Sequence, residues 1–333
     1  MCGIVAIYNI KKNKFDGSKN IQKILQNIYH RGPDQQNHIS VNGCHLGIAR
    51  LSIIDLKNGN QPIVDSTKRY HIVFNGEIYN YLNIKKELEN FNFRFTTNSD
   101  TEVVLYSYIK WGEKFVEKLD GMFSIIIYDK VYDELIVCRD RFGKKPLYYY
   151  KDSEKIIICS EVRAIKNLDN QNSLDLQINM QGYWDYLSFR YIPGKQTSYK
   201  NILKFDRGSI YKIKKNTIDK KKYWNVKFEN TKNIPYQKKK ENFKFLFDKS
   251  VKKRLIADVP VGVILSGGLD SSAVLYSASK YQKINSYHVT FKGENENFSE
   301  LRYAEKVAKY LNSNLKTIEI DDQMFLDKLS NIN

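Results

Sequence analysis

Cys2 stands where a thiol can act without a separate base. A small second residue permits removal of Met1, which leaves Cys2 with a free α-amino group of pKa about 7.7–8.0. Near neutrality that amine is a competent general base, held in the same residue as an intrinsically nucleophilic thiolate. Gly3 follows and lets the backbone turn tightly beside the thiol. A second chemical stretch is Leu265-Ser266-Gly267-Gly268-Leu269-Asp270-Ser271-Ser272, set between an apolar strand pattern and a helix pattern. Its glycines allow backbone N–H groups to point inward, its hydroxyls add donors, and the following helix N-terminus favours an anion. It reads as a pyrophosphate cradle without the Lys of a Walker A loop.

The elements that must carry these groups change character along the chain. Up to about residue 205 they read mainly as short strands, at Gly3–Tyr8, His45–Leu51, His71–Phe74, Met122–Tyr128, Glu134–Cys138, Pro146–Tyr150 and Lys155–Cys159. Helices are expected at Asn20–Tyr29, with Ile21, Ile24, Leu25 and Ile28 on one face, and at Leu82–Glu89. A third, Thr101–Trp111, follows a capping box Ser99-x-x-Glu102 and should bury Val103, Val104, Tyr106 and Ile109. This mixture predicts an α+β layered sandwich. Residues 206–240 read as a basic connector with a hairpin at Ser209–Ile213 and Tyr223–Phe228. Beyond it, a helix carrying Phe243, Leu246, Phe247, Val251 and Leu255 on one stripe precedes alternating segments. These are strand Val261–Leu265, helix Ser271–Tyr281, strand Asn285–Phe291, helix Phe298–Leu311 and strand Leu315–Ile320. Strand alternating with helix predicts parallel crossovers and the start of an open α/β sheet.

Composition narrows the function classes. No stretch approaches the roughly 18–20 apolar residues needed to span a bilayer. Residues 3–8 are apolar, but Lys11, Lys12 and Lys14 follow at once, so no secretory signal is read and the cytoplasm is expected. Cys2, Cys44, Cys138 and Cys159 form no CxxC pair, which argues against a zinc site and a disulfide scaffold. Cys44 and Cys159 sit among apolar neighbours and read as buried structural thiols. The net charge is +17, and residues 206–260 hold 17 Lys and Arg against 6 Asp and Glu. With no nucleic-acid motif beside them, these charges read as a solvated connector, and no nucleic-acid partner is expected.

Several segments occur together and in order: Met1-Cys2-Gly3-Ile4-Val5-Ala6-Ile7, His30-Arg31-Gly32-Pro33-Asp34, Ala49-Arg50-Leu51-Ser52-Ile53-Ile54-Asp55, Phe74-Asn75-Gly76-Glu77-Ile78-Tyr79-Asn80 and Ser99-Asp100-Thr101-Glu102. With the run Cys138–Tyr149, they resemble the class II (N-terminal nucleophile) glutamine amidotransferase domain over roughly residues 2–205. The version is that of the asparagine synthetases rather than of the glucosamine-phosphate synthases or purine amidotransferases. The resemblance implies a four-layer α-β-β-α sandwich. It implies that Cys2 attacks the carboxamide of glutamine, with the Asn75 side-chain amide and the Gly76 N–H as oxyanion hole. Arg50 would clamp the α-carboxylate and Asp100 the α-ammonium, with Glu77 and the backbone of Leu51, Ser52, Ile53 and Ile54 completing the pocket. His30 and Arg31 would shape that pocket.

The loop at 265–272, with Asp258-Val259-Pro260-Val261-Gly262-Val263-Ile264 before it, resembles the asparagine synthetase form of the ATP-pyrophosphatase (adenine-nucleotide α-hydrolase-like) loop. Residues 241–333 would then be the N-terminal part of a partial parallel-sheet domain that activates aspartate with ATP and Mg²⁺ as an acyl-adenylate. In that reading Ser266, Gly267, Gly268, Ser271 and Ser272 hold the phosphates and Asp270 helps hold Mg²⁺. Leu265 and Val289, at two strand ends, contact the adenine or ribose. Glutamine, aspartate and ATP are the expected partners, with the homodimer that is common in the family and no membrane. The chain departs from the family in ending soon after the loop, and in having Asn314-Leu315-Lys316-Thr317 where relatives usually carry histidines. A truncated chain that hydrolyses glutamine but makes little asparagine is therefore expected. Rival readings are an amidotransferase acting on a surface-polysaccharide sugar or another carboxylate, and a remnant without synthetase activity.

Overall fold

The structure, a computed structural model, describes residues 1–11, 17–169, 174–215, 217–228, 234–292 and 299–329. The chain divides into two compact units, Met1–Phe228 and Glu229–Asn333. The first begins with β1 (Gly3–Asn9), α1 (Gly17–Asn27), β2 (Gln35–Val41) and β3 (Cys44–Arg50). It continues with β4 (Ile63–Val64), β5 (Tyr70–Ile78), α2 (Tyr81–Glu89), α3 (Asp100–Trp111) and α4 (Phe115–Lys118). Then come β6 (Gly121–Asp129), β7 (Glu134–Arg139), β8 (Tyr148–Lys151), β9 (Lys155–Cys159) and α5 (Val162–Lys166). The unit closes with α6 (Met180–Phe189), β10 (Ile202–Lys204), β11 (Ser209–Lys214) and β12 (Thr217–Lys222).

These strands form two six-stranded sheets, ordered β10-β8-β9-β1-β3-β2 and β12-β11-β7-β6-β5-β4, with antiparallel pairing throughout. Alternation decides the layers. Ile4, Ala6 and Tyr8 of β1 pack with Val73, Ile126, Tyr128 and Val137 of the other sheet, which fills the space between sheets. Val5 and Ile7 point the other way, onto Ile21, Ile24 and Leu25 of α1 and Ala164 and Ile165 of α5. Ile125 and Ile127 of β6 likewise turn outward onto α2 and α3. The result is the four-layer α-β-β-α sandwich. Strands buried on both faces are apolar at nearly every position, as Gly3–Tyr8 and, apart from Ser124, Met122–Tyr128 are, and such runs were legible.

Other elements differ from expectation. The strand β2, Gln-Gln-Asn-His-Ile-Ser-Val, lies at a sheet edge and is partly exposed, so its sequence carries little apolar alternation. The hairpin partner of β11 is β12 at 217–222 rather than 223–228. Residues 206–222 are therefore not connector. They add two strands to the second sheet, because Ile210, Tyr211 and Ile213 bury side chains there while the lysines of β12 face water. Within 206–240, residues 216 and 229–233 lie outside the described residues. The helix α6 was not anticipated, and Met180, Trp184 and Leu187 on it are exposed.

The second unit holds α7 (Tyr236–Lys253), β13 (Gly262–Ile264), α8 (Leu269–Ser279), β14 (Asn285–Phe291), α9 (Leu301–Tyr310), β15 (Leu315–Ile320) and α10 (Asp322–Leu329). The sheet β13-β14-β15 is parallel in both pairings, as the alternation of strand and helix predicted. Phe247, Val251 and Leu255 pack on its core, whereas Phe243 and Leu246 of the expected stripe are exposed. The expected start of the second crossover helix, Phe298, lies outside the described residues. No helix among the described residues is long and apolar enough to cross a membrane.

Ile126 is fully buried between the sheets. Ile126→Ala should lower unfolding free energy by about 2–5 kcal/mol. In urea titration this appears as a lower midpoint with an unchanged slope; an unchanged midpoint would refute the packing role.

Candidate active site

Cys2 immediately precedes β1, and its thiol is held by the strand end opposite. The Leu51 N–H donates to Sγ at 3.3 Å, and Sγ lies 3.5 Å from the Leu51 carbonyl oxygen. Arg31 Nε donates to the Cys2 carbonyl at 3.0 Å, while Arg31 Nη1 and His30 Nε2 both bind Glu161 Oε1 at 2.9 Å. Gly32 makes this approach feasible, because a Cβ there would meet the Ala49 carbonyl oxygen at 2.2 Å. Burial pushes the thiol pKa up, and the Leu51 N–H works against it. The α-amine beside the site is that of Met1, and burial lowers its pKa.

A small cavity, open to solvent, is lined by Cys2, Arg50, Leu51, Ile53, Ile54, Gly76, Glu77 and Asp100, all expected, and by Gln61, Phe74, Ser99 and Thr101. Arg50, the last residue of β3, is buried. It donates from Nη2 to the Ile54 and Asp55 carbonyls at 2.9 Å each, and from Nη1 to Asn60 Oδ1 at 3.4 Å. All three acceptors are neutral, so its charge remains available to an anion. Asp100 opens α3 and accepts the Ile78 N–H at 3.1 Å through Oδ2. Burial raises the pKa of Asp100, opposed by the Ile78 N–H and by Arg50. Burial also raises Glu77, reinforced by the Asp100 carboxylate and opposed by Lys145. Lys145 is itself buried, and desolvation lowers its pKa.

Asn75 and Ser52 are absent from that lining. Ser52 gives its backbone N–H to Asp34 Oδ2 at 2.8 Å instead. Asn75 is only 1% exposed, and its Nδ2 donor has no hydrogen-bond partner. It lies two residues after Val73, which packs between the sheets, and Cys2 packs against that same cluster. Period-two alternation therefore puts the orphaned amide on the face that Cys2 adjoins. Gly76 admits no side chain, since a Cβ would meet the Met122 carbonyl oxygen at 2.3 Å.

Gln61 was missed because a lone Gln in a loop carries no signal. Its Oε1 accepts the Phe74 N–H at 2.7 Å, and its Nε2 donates to Phe74 O and Thr101 Oγ1, tying β5 to α3. The capping box is not reciprocal. Ser99 Oγ accepts the Thr101 N–H, but Glu102 reaches further back, to the backbone and hydroxyl donors of Thr96 and Thr97.

In the second unit, Ser266, Gly267, Gly268, Asp270, Ser271 and Ser272 share one turn at the start of α8. Gly267 has φ +82°, and a Cβ would meet Tyr303 Cβ and Ala304 N at 2.6 Å. Ser266 and Ser271 hydroxyls bond each other at 3.0 Å, the Gly268 N–H donates to Ser266 Oγ at 3.3 Å, and Ser272 Oγ donates to the Gly268 carbonyl at 2.7 Å. The Leu265 side chain is fully buried in the unit's core, so only its backbone faces the turn. Its carbonyl accepts a 2.8 Å bond from Nδ1 of buried His288, a residue not singled out in the sequence. Val289 is 46% exposed rather than core. Among the described residues no group of three His, Cys, Asp or Glu gathers as a metal site.

Residues 1–224 match the family model for a glutamine amidotransferase domain, and residues 242–333 match that for asparagine synthase. "Asparagine synthetase [glutamine-hydrolyzing] 1" of Bacillus subtilis strain 168 is 34% identical over 336 residues, covering 100% of this chain and 52% of its own. "Asparagine synthetase [glutamine-hydrolyzing] 3" of the same organism is 32% identical over 278 residues, covering 82% of this chain and 44% of its own. The chain spans about half the length of the curated relatives it matches. A solved structure described as the allosteric regulatory enzyme of purine biosynthesis covers 95% of this chain and 65% of its own, with TM-score 0.50 at 15% identity, a likeness of fold.

The raised carboxyls make a pH prediction. Between the ordinary carboxylate range near pH 4 and the raised folded values, the folded chain binds more protons than the unfolded one. Stability should therefore fall as pH rises through that window. Glu77→Gln removes one carboxyl and relieves the other, so it should flatten the decline and raise Tm at pH 8 but not at pH 4, by roughly 2–4 °C per kcal/mol. Melting curves with the same pH dependence as the unsubstituted chain would contradict this.

Proposed function

We propose, for a chain that belongs to the glutamine amidotransferase family and carries an asparagine synthase segment behind it, that the first unit hydrolyses L-glutamine to glutamate and ammonia. Cys2, freed by loss of Met1, gives its thiol proton to its own amine and attacks the carboxamide carbon. The oxyanion is taken by Asn75 Nδ2 and the Gly76 N–H. Collapse to the γ-glutamyl thioester breaks the C–N bond as the Cys2 ammonium returns its proton to the leaving nitrogen, giving ammonia. Water then adds to the thioester, releasing glutamate and restoring the thiol. Arg50 takes the substrate's α-carboxylate, and Asp100 with Glu77 its α-ammonium. The observation that carries this reading is the buried, partnerless Asn75 amide on the face that Cys2 adjoins. An orphaned buried donor costs about 1–3 kcal/mol, which a developing oxyanion would recover.

For the second unit we propose ATP as ligand and aspartate as the carboxylate activated, the ammonia then giving asparagine. The chemistry of the turn supports a phosphate: three hydroxyls gathered around two glycines at the N-terminus of the eleven-residue α8. Mg²⁺ would have Asp270 as its carboxylate here, the nucleotide's phosphates supplying further oxygens and the ion neutralising their charge. The four free cysteines support a reducing compartment, for which we propose the cytoplasm. A homodimer is the assembly proposed.

The test is ammonia and glutamate release from L-glutamine by the purified chain, with mass spectrometry reporting loss of Met1. Cys2→Ala should abolish turnover while leaving the fold intact. Asn75→Ala should lower kcat about 10²–10³-fold with little change in KM. Full activity in Cys2→Ala would overturn the nucleophile.

A further inference from the structure

Arg50 and Asp100 must grip two groups attached to one carbon of the substrate, so their separation has to be held closely. They stand on different elements, the end of β3 and the start of α3. We propose that Asp55 is the positioning residue that fixes this spacing, and hence sets the demand for a free α-amino acid. The inference rests on the glutaminase reading.

Asp55 is 8% exposed and does not line the cavity, so it acts through other groups. Its main chain holds the cationic end: the Asp55 carbonyl accepts Arg50 Nη2 at 2.9 Å and also the Gly59 N–H at 2.9 Å. Its side chain holds the anionic end: Oδ2 accepts the Asn98 N–H at 2.7 Å, two residues before Asp100. Oδ1 accepts the Asn58 N–H at 3.0 Å, which closes the turn on itself. The backbone has φ 50°, in the left-handed region tolerated by Asp and Asn, and this conformation accompanies carbonyl and carboxylate contacts to two different segments. Glu102 already ties Thr96 and Thr97 to α3, so the 96–99 segment is stiff, and Asp55 is the bond that references it to Arg50. A bond from a backbone N–H to a carboxylate held this way is among the stronger ones in a protein.

Asp55→Ala should raise KM for L-glutamine roughly 10- to 100-fold, since of the two carboxylate bonds it removes, the one to Asn98 is what reaches the anionic end. It should leave kcat within about threefold and the rate of Cys2 alkylation by iodoacetamide unchanged, because the nucleophile and oxyanion donors are untouched. Asp55→Asn, which keeps one acceptor oxygen, should recover part of the KM and serves if the alanine variant does not fold. A KM unchanged in either folded variant overturns the proposal, as does a fall in kcat and alkylation rate together, which would mark general loosening. If the unsubstituted chain fails to hydrolyse glutamine at all, the glutaminase reading falls and takes this with it. An active parent with an indifferent Asp55 variant sinks only the positioning role.

Discussion

Keeping charge out of water around one thiol is the constraint to which the first unit answers. Arg50, Asp100 and Lys145 are buried and Glu77 nearly so, and burial is the leading cause of the shifted pKa at Glu77, Asp100, Lys145 and Cys2 alike. Such groups are tolerable only where opposite charge and oriented dipoles replace the lost hydration. The surroundings provide both. The Ile78 and Leu51 N–H groups face the anions, two carbonyls face the guanidinium, and Lys145 offsets the paired carboxyls. The two sheets place these donors on strand ends, where backbone groups are freed from the ladder.

That arrangement explains why the glycines are fixed. Gly32 and Gly76 each lie against a carbonyl oxygen at a distance no Cβ could occupy, so the segments carrying Arg31 and Asn75 can approach their neighbours only with hydrogen at those positions. The pocket is thus set by backbone approach first and by side-chain chemistry second.

Much of this was legible, for a physical reason. Strands buried on both faces leave long, largely apolar runs, as in β1, β6 and β9, and parallel crossovers leave strand patterns alternating with helix patterns, as in the second unit. What escaped was whatever is decided by tertiary partners. The polar edge strand β2 pairs because β3 is beside it, and β12 is held by β11 despite a run of lysines. Glu102 was read as answering Ser99, but the preceding threonines offer it four donors and win. Gln61 and His288 act as braces, Gln61 for the backbone at Phe74 and His288 for the backbone at Leu265, and no local spacing announces a brace. The Leu265 side chain goes to the core, as an apolar side chain at a strand end does when one is available.

The turn before α8 satisfies its own hydroxyls from within, through the Ser266–Ser271 bond and those to Gly268. Occupancy is therefore an exchange reaction, in which a visitor is credited only with the bonds it makes beyond those it breaks. A monatomic halide gathers its donors around a single centre, so the hydroxyls would have to converge on one point. A phosphate presents several oxygens at tetrahedral angles and can answer each one. For the phosphate proposed at this turn, preference over other anions would then follow from where its acceptors lie as much as from its charge.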